Sequence, residues 1–160
     1  MQDLSDLVTE MPVINDNIIR QIIRTGNYDK DFCKISADYL EADNPHARSY
    51  LLYHAKETRE PNSIRDIGTL IYRMLKMKGE VPRVTQKAVS DVEKEYEKNK
   101  GEFYAIDLLS HLKDKNPSIY KLVISGAKKL PCRPMSTIRT LTLFYRVFER
   151  QAELNKQKIN

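Results

Sequence analysis

"SIRDIGTLIYRMLK" occupies Ser63–Lys76, and "TIRTLTLFYRVFE" occupies Thr137–Glu149. With Gly68 skipped, Ile-Arg, Thr-Leu and Tyr-Arg fall in register in the two stretches. The correspondence runs well beyond them. "EMPV" (Glu10–Val13) answers to "EVPRV" (Glu80–Val84), and Asp31, Phe32 and Ile35 answer to Glu102, Phe103 and Ile106. "NPHARSYLLYHAK" (Asn44–Lys56) answers to "NPSIYKLVISGAK" (Asn116–Lys128), with Asn-Pro opening and Ala-Lys closing at equal spacing. Order is kept throughout, and the offset drifts only from 70 to 74. Blocks matched in order at a near-constant offset are the mark of an internal repeat. The expected organisation is two tandem helical repeats, 10–79 and 80–153, packed as one unit. An N-terminal arm (1–9) precedes them and a polar C-terminal tail (154–160) follows.

Each repeat parses into four helices. Pro12 and Pro82 precede the first, expected at 13–25 and 84–99, and the second is expected at 30–42 and 102–114. Asn44-Pro45 and Asn116-Pro117 then read as an N-cap followed by proline at the first helical position, where the missing N–H costs nothing. This places the third helix at 45–58 and 117–129. The fourth follows a proline-containing loop in each repeat, at 63–78 and 135–153, and Gly79 is placed to close its first copy. No stretch alternates apolar and polar residues as a half-buried strand would. The fold class is all-α.

Composition agrees. Of the 160 residues 41% are hydrophobic and 31% charged, with five glycines and no tryptophan, a balance that favours helix. No apolar run approaches the 18 or so residues of a membrane span. The acidic start "MQDLSDLVTE" lacks the pattern of a secretory signal. Cys33 and Cys132 lie far apart with no CxxC spacing, as expected of unpaired thiols in a reducing cytoplasm.

The net charge of +5 is unevenly spread. Residues 1–79 balance to −1 and residues 80–160 to +6, and between Lys113 and Arg146 the only acid is Asp114. A one-sided basic half is the electrostatic footprint of a phosphate-bearing partner. On a helical wheel of Ser63–Lys78, Ile64, Ile67, Leu70, Ile71, Met74, Leu75 and Met77 share one side, while Arg65, Thr69, Tyr72, Arg73 and Lys76 share the other. In the second copy Arg139, Arg146 and Arg150 fall within a narrow arc spanning roughly 16 Å. Their guanidinium forks suit successive phosphates. Lys128, Lys129 and Arg133 lie just upstream, beside Pro131 and Pro134. The candidate nucleic-acid contacts are therefore Lys128, Lys129, Arg133, Arg139, Arg146, Arg150, Arg65, Tyr72, Arg73 and Lys76. Glu149 and Glu153 are the residues that would instead neutralise the stripe along its own helix. Most of the nine tyrosines fit helix seams, and Tyr72, set on the basic face, is the one positioned to stack on a base.

No catalytic motif stands out. P-loop, GxGxxG, GxSxG and EF-hand patterns are absent, and His46, His54 and His111 follow no metal-ligand spacing. "EKEYEKNK" (Glu93–Lys100) reads as the solvated side of a helix. The expectation is a non-enzyme without cofactor or metal, a basic helical subunit or accessory protein that holds a DNA or RNA backbone through the last helix of the second repeat. In size, charge and helix content it is comparable to the helical small subunit of CRISPR effector complexes, and a phage-encoded accessory protein of replication fits the same outline. The alternative is a protein-interaction adaptor or inhibitor that uses the groove between repeats. Neither reading calls for a membrane or a small-molecule substrate.

Overall fold

The computed structural model describes residues 7–24, 30–99 and 102–159, and among these it contains eight helices and no strand. They are α1 (Asp16–Arg24), α2 (Lys30–Asp43), α3 (Pro45–Ala55), α4 (Pro61–Lys78), α5 (Gln86–Lys98), α6 (Glu102–Lys115), α7 (Pro117–Lys129) and α8 (Pro134–Ile159). Proline occupies the first position of α3, α4, α7 and α8, where its fixed φ starts a helix and no hydrogen bond is lost. Thr85 caps α5, its side chain accepting from the Ala88 N–H. Gly79 does end α4, but in an extended conformation open to any residue (φ −179°).

α4 and α8 form the centre. α8 packs against α3, α4, α5, α6 and α7, and α4 packs against α2, α3, α7 and α8. The third helix of each half thus lies against the fourth helix of the other, so the halves interdigitate. Where α4 meets α8, Tyr72 stacks on Phe148 at 5.6 Å between ring centroids, and Phe148 meets Phe144 edge-on at 5.0 Å. Ile64, Ile71, Met74, Leu75, Leu141 and Phe148 are almost wholly withdrawn from water, each worth roughly 1.5–3 kcal/mol of burial. A Cβ on Gly68 would lie 2.7 Å from Cδ2 of the buried Leu51, so α3 and α4 approach closely at that point.

Asn44 and Asn116 depart from the capping role that their position before proline suggests. Neither side chain bonds to the helix it precedes. The Asn44 side chain instead donates to the Pro82 carbonyl at 2.9 Å and accepts from the Val84 N–H at 2.8 Å. Asn116 donates to the Pro12 carbonyl at 2.8 Å, accepts from the Ile14 N–H at 3.3 Å, and also donates to the Tyr145 hydroxyl at 3.2 Å. Each asparagine so clasps the extended segment that leads into the other half. Ile14, Val81 and Val84 are buried in these segments, so their backbone groups need protein partners. A carboxamide, with donor and acceptor side by side, supplies both at once.

The expected C-terminal tail is helical as far as described, with Lys156, Gln157 and Lys158 exposed. α8 continues to Ile159 with Leu154 and Asn155 buried. Gln151 accepts from both the N–H and the hydroxyl of Thr85 and donates to Asn155, which donates to the Val8 carbonyl. This buried polar line ties α8 to both extended segments. The side chains of Phe32, Cys33 and Ile35 lie outside the described residues; Cys132 is partly buried, its sulfur 3.3 Å from the Thr137 hydroxyl. No helix among the described residues is long and apolar enough to cross a membrane.

Candidate nucleic-acid interface

The basic residues singled out in the sequence separate into groups with different surroundings. The arginines of α8 face neighbouring helices rather than open solvent. Arg146 donates two parallel bonds to Glu153, at 2.9 and 3.2 Å, and lies 3.5 Å from Glu95 of α5. Arg150 donates to Asp91 of α5 at 2.9 Å and lies 3.6 Å from Glu153. Arg139 sits 3.8 Å from Glu57, and its buried Nε has no hydrogen-bond partner. The side chains of Arg139, Arg146 and Arg150 are only 19%, 16% and 22% exposed. Burial pushes the Glu153 carboxyl up, but its paired bonds to Arg146 outweigh this and hold it below the usual range. Asp91 is held low in the same way, burial being outweighed by Arg150 and Lys87.

The neutralising acids are thus supplied across the helix interface as well as along α8. Glu153 does pair with the stripe, whereas Glu149 turns to His111 at 2.8 Å. Glu95, inside the "EKEYEKNK" run, also accepts a bond from the Tyr104 hydroxyl. Glu93 accepts from Tyr50 and lies 2.6 Å from Nε2 of the buried His54. Within that run Glu93, Glu95 and Tyr96 are therefore packed against neighbouring helices, while Lys94, Glu97, Lys98 and Asn99 are exposed. The spacing held a sign of it: Asp91 and Glu95 are four apart, and so are Arg146 and Arg150, which matches an antiparallel helix pair.

The candidates on α4 are also engaged. Tyr72 is wholly buried, stacked on Phe148, and its hydroxyl donates to Asp43. Burial first, and then that carboxylate, push its hydroxyl pKa well up. It is not on an exposed basic face and has no surface to offer a base. Its place between α2 and α8 explains the difference, because helices pack on both sides of α4. Lys76 bridges Glu80 at 3.1 Å and Asp43 at 3.6 Å, Arg65 pairs with Asp66 at 3.1 Å, and the Arg73 guanidinium lies 5.1 Å from the centre of the Tyr39 ring.

α7 is different. Its thirteen residues include Lys121, Lys128 and Lys129 and no acid. Lys128 and Lys129 are exposed at the C-terminal end, next to the exposed Arg133 of the following turn. Among the described residues neither lysine meets a carboxylate. With Lys121, Tyr120, Ile124 and Ser125 they line a shallow groove of about 340 Å³. Lys113 of α6 adds a further ammonium, 5.6 Å from the centre of the Tyr120 ring. Lys121 also reaches Asp16 of α1 at 2.9 Å, and this bond, with one from Ser118, holds the Asp16 carboxyl low. The groove itself was not legible in the sequence, although the lack of acids between Lys115 and Arg146 marked its neighbourhood.

A larger groove of about 710 Å³ runs between the N-terminal arm and α5, α6 and α8, with Glu10, Glu95, Glu149, Glu153, His111 and Arg146 in its walls. Its inner carboxylates are already bonded to Arg146, His111 and Tyr104, so its polarity serves the fold. Among the described residues no cluster of His, Cys, Asp and Glu is arranged to hold a metal ion. Comparison with protein families, characterised proteins and solved structures finds no match to this chain.

Proposed function

We propose that the protein is a non-catalytic subunit or accessory protein that holds the backbone of a nucleic acid, and that its contact face is the outward side of α7. The observation that carries this reading is a thirteen-residue helix with three lysines and no acid, two of those lysines being exposed and unpaired beside a groove. Lysine ammonium groups act on phosphates as point charges, so affinity is sequence-tolerant and falls steeply with salt. Arg146 and Arg150 fix α5 to α8 and take no part in this face. The test is a salt titration of oligonucleotide binding by fluorescence anisotropy. Lys128→Ala with Lys129→Ala weakens binding and lowers the slope of log affinity against log salt by about one for each lysine that meets a phosphate. Unchanged affinity and slope in that variant sink the reading.

A second reading has its own observation. Phe103 and Ile106, one turn apart on α6, are 71% and 46% exposed. They suit a protein partner, as does the larger groove between the N-terminal arm and the second half. Association that survives high salt and is lost in Phe103→Ser favours this reading over the first.

We further propose that the two halves are copies of one unit. The support is the reciprocal clasp, in which matching asparagines bind matching Pro-containing segments in opposite halves. A circular permutant opened between Gly79 and Glu80 tests it.

A further inference from the structure

We infer that the strand taken up on α7 is single-stranded, with an unpaired base lying on the Tyr120–Ile124 floor of the groove and the flanking phosphates on Lys121, Lys128 and Lys129. This rests on the α7 reading and adds which form of nucleic acid the site selects. Floor and rim differ in chemistry. Tyr120 and Ile124 are partly buried and packed against the core. The Lys113 ammonium lies over the Tyr120 ring at 5.6 Å, so a base resting on that ring displaces this ammonium towards its own phosphate. Lys121, Ser125 and Lys128 follow one line along the helix, about 10 Å from first to last at 1.5 Å per residue. An apolar floor beside the free ammonium groups of Lys128 and Lys129, with Lys121 shared with Asp16, matches a ligand that alternates a flat apolar face with an anion. An unpaired nucleotide is such a ligand, and bases resting on aromatic side chains give single-strand binders affinity without sequence preference.

A duplex cannot use the floor. Its bases are stacked inside, and it offers the groove only phosphates, which the lysines meet equally well in either form. The preference for single strands therefore resides in Tyr120 and Ile124, and the salt dependence in the lysines. The absence of arginine from the groove walls fits a site that does not fork onto base edges.

The experiment uses the full chain and fluorescence anisotropy with a labelled oligothymidylate, a duplex of equal length and a labelled polyglutamate peptide. The single strand is expected to bind about tenfold more tightly than the duplex, the lower part of the range for one base on an aromatic ring. Tyr120→Ala removes that difference and leaves duplex binding unchanged, while Tyr120→Phe keeps it. Should Tyr120→Ala not fold, Ile124→Ser with circular dichroism as a check reads the same floor. Lys128→Glu with Lys129→Glu abolishes binding of both nucleic acids. Equal affinity for both forms, lost in the lysine variant, overturns the single-strand inference and leaves the α7 reading standing. Polyglutamate binding as tightly as the oligonucleotide also overturns it, in favour of an acidic peptide. Binding of no probe at low salt overturns both.

Discussion

Asn44 and Asn116 are buried at equivalent turns of the two halves, and each holds the segment that leads into the half to which the other belongs. Their backbones are alike (φ/ψ −146°/65° and −148°/72°), and each N–H bonds the carbonyl four residues back, Leu40 or Leu112, at 2.8 Å. Turn and clasp together fix the Pro12–Ile14 and Pro82–Val84 segments, in which Ile14 and Val84 are buried while Val13 and Arg83 are exposed. Asn44→Ala leaves a buried carbonyl and a buried N–H without partners, at a cost of about 2–4 kcal/mol. Asn116→Ala costs a similar amount. Asn→Asp at either position is no rescue, because a carboxylate cannot donate to a proline carbonyl. Urea unfolding should show lowered midpoints with unchanged m-values.

Val8 and Asn155 are joined by a hydrogen bond of 2.8 Å, and Gly79 separates the end of α4 from Glu80. Joining Asn160 to Met1 by a flexible linker and opening the chain between Gly79 and Glu80 should give a circular permutant that folds. The expected result is a helical circular-dichroism spectrum and a single cooperative transition. A permutant without a cooperative transition speaks against two copies of one interleaved unit.

Tyr72 separates packing from binding. Tyr72→Phe keeps the stack on Phe148 and loses the bond to Asp43, which costs about 1 kcal/mol, whereas Tyr72→Ala opens the core and costs about 3–5 kcal/mol. Because the ring is buried, Tyr72→Phe should bind oligonucleotide with unchanged affinity. The two quantities are read from the same preparation by urea unfolding and anisotropy.

Acid should loosen the contact between α5 and α8. Glu153 and Asp91 titrate below their ordinary values in the folded protein, so the folded state binds fewer protons than the unfolded chain as the pH falls. The stability they confer is complete above the unfolded carboxylate range and is lost as the pH drops below about 4. Arg146→Ala should destabilise the protein by about 1–3 kcal/mol at neutral pH and by less in acid, flattening the low-pH limb of the stability profile. Arg146→Lys keeps the charge but loses the paired geometry, and should fall between the two. Urea midpoints across the acid range are the measurement.

Much of the fold is visible in residue order. Proline before each third and fourth helix fixes their starts, although α4 begins at Pro61, two residues earlier than its polar lead-in suggests. The end of α8 is hidden because Gln151 and Asn155 look like surface residues, and the groups that satisfy them, at Thr85 and Val8, are far away in sequence. The site is harder to read for the same reason. A helical wheel shows that Arg139, Arg146 and Arg150 share an arc but not that α5 lies against it, nor that α4 is covered on the side of Tyr72. What does survive translation is the charge imbalance itself, which in the structure is presented by α7 rather than by the stripe on α8.

The most direct test of that placement is a map of backbone amide shifts in a ¹⁵N-labelled sample titrated with unlabelled oligothymidylate at low salt. The account predicts that the perturbed amides cluster from Ile119 to Leu130 and at the end of α6 near Lys113, with α5 and the Arg146–Glu153 stretch unmoved. Perturbation centred on Arg139, Arg146 and Arg150, on the groove between the N-terminal arm and α8, or on no cluster at all would contradict it.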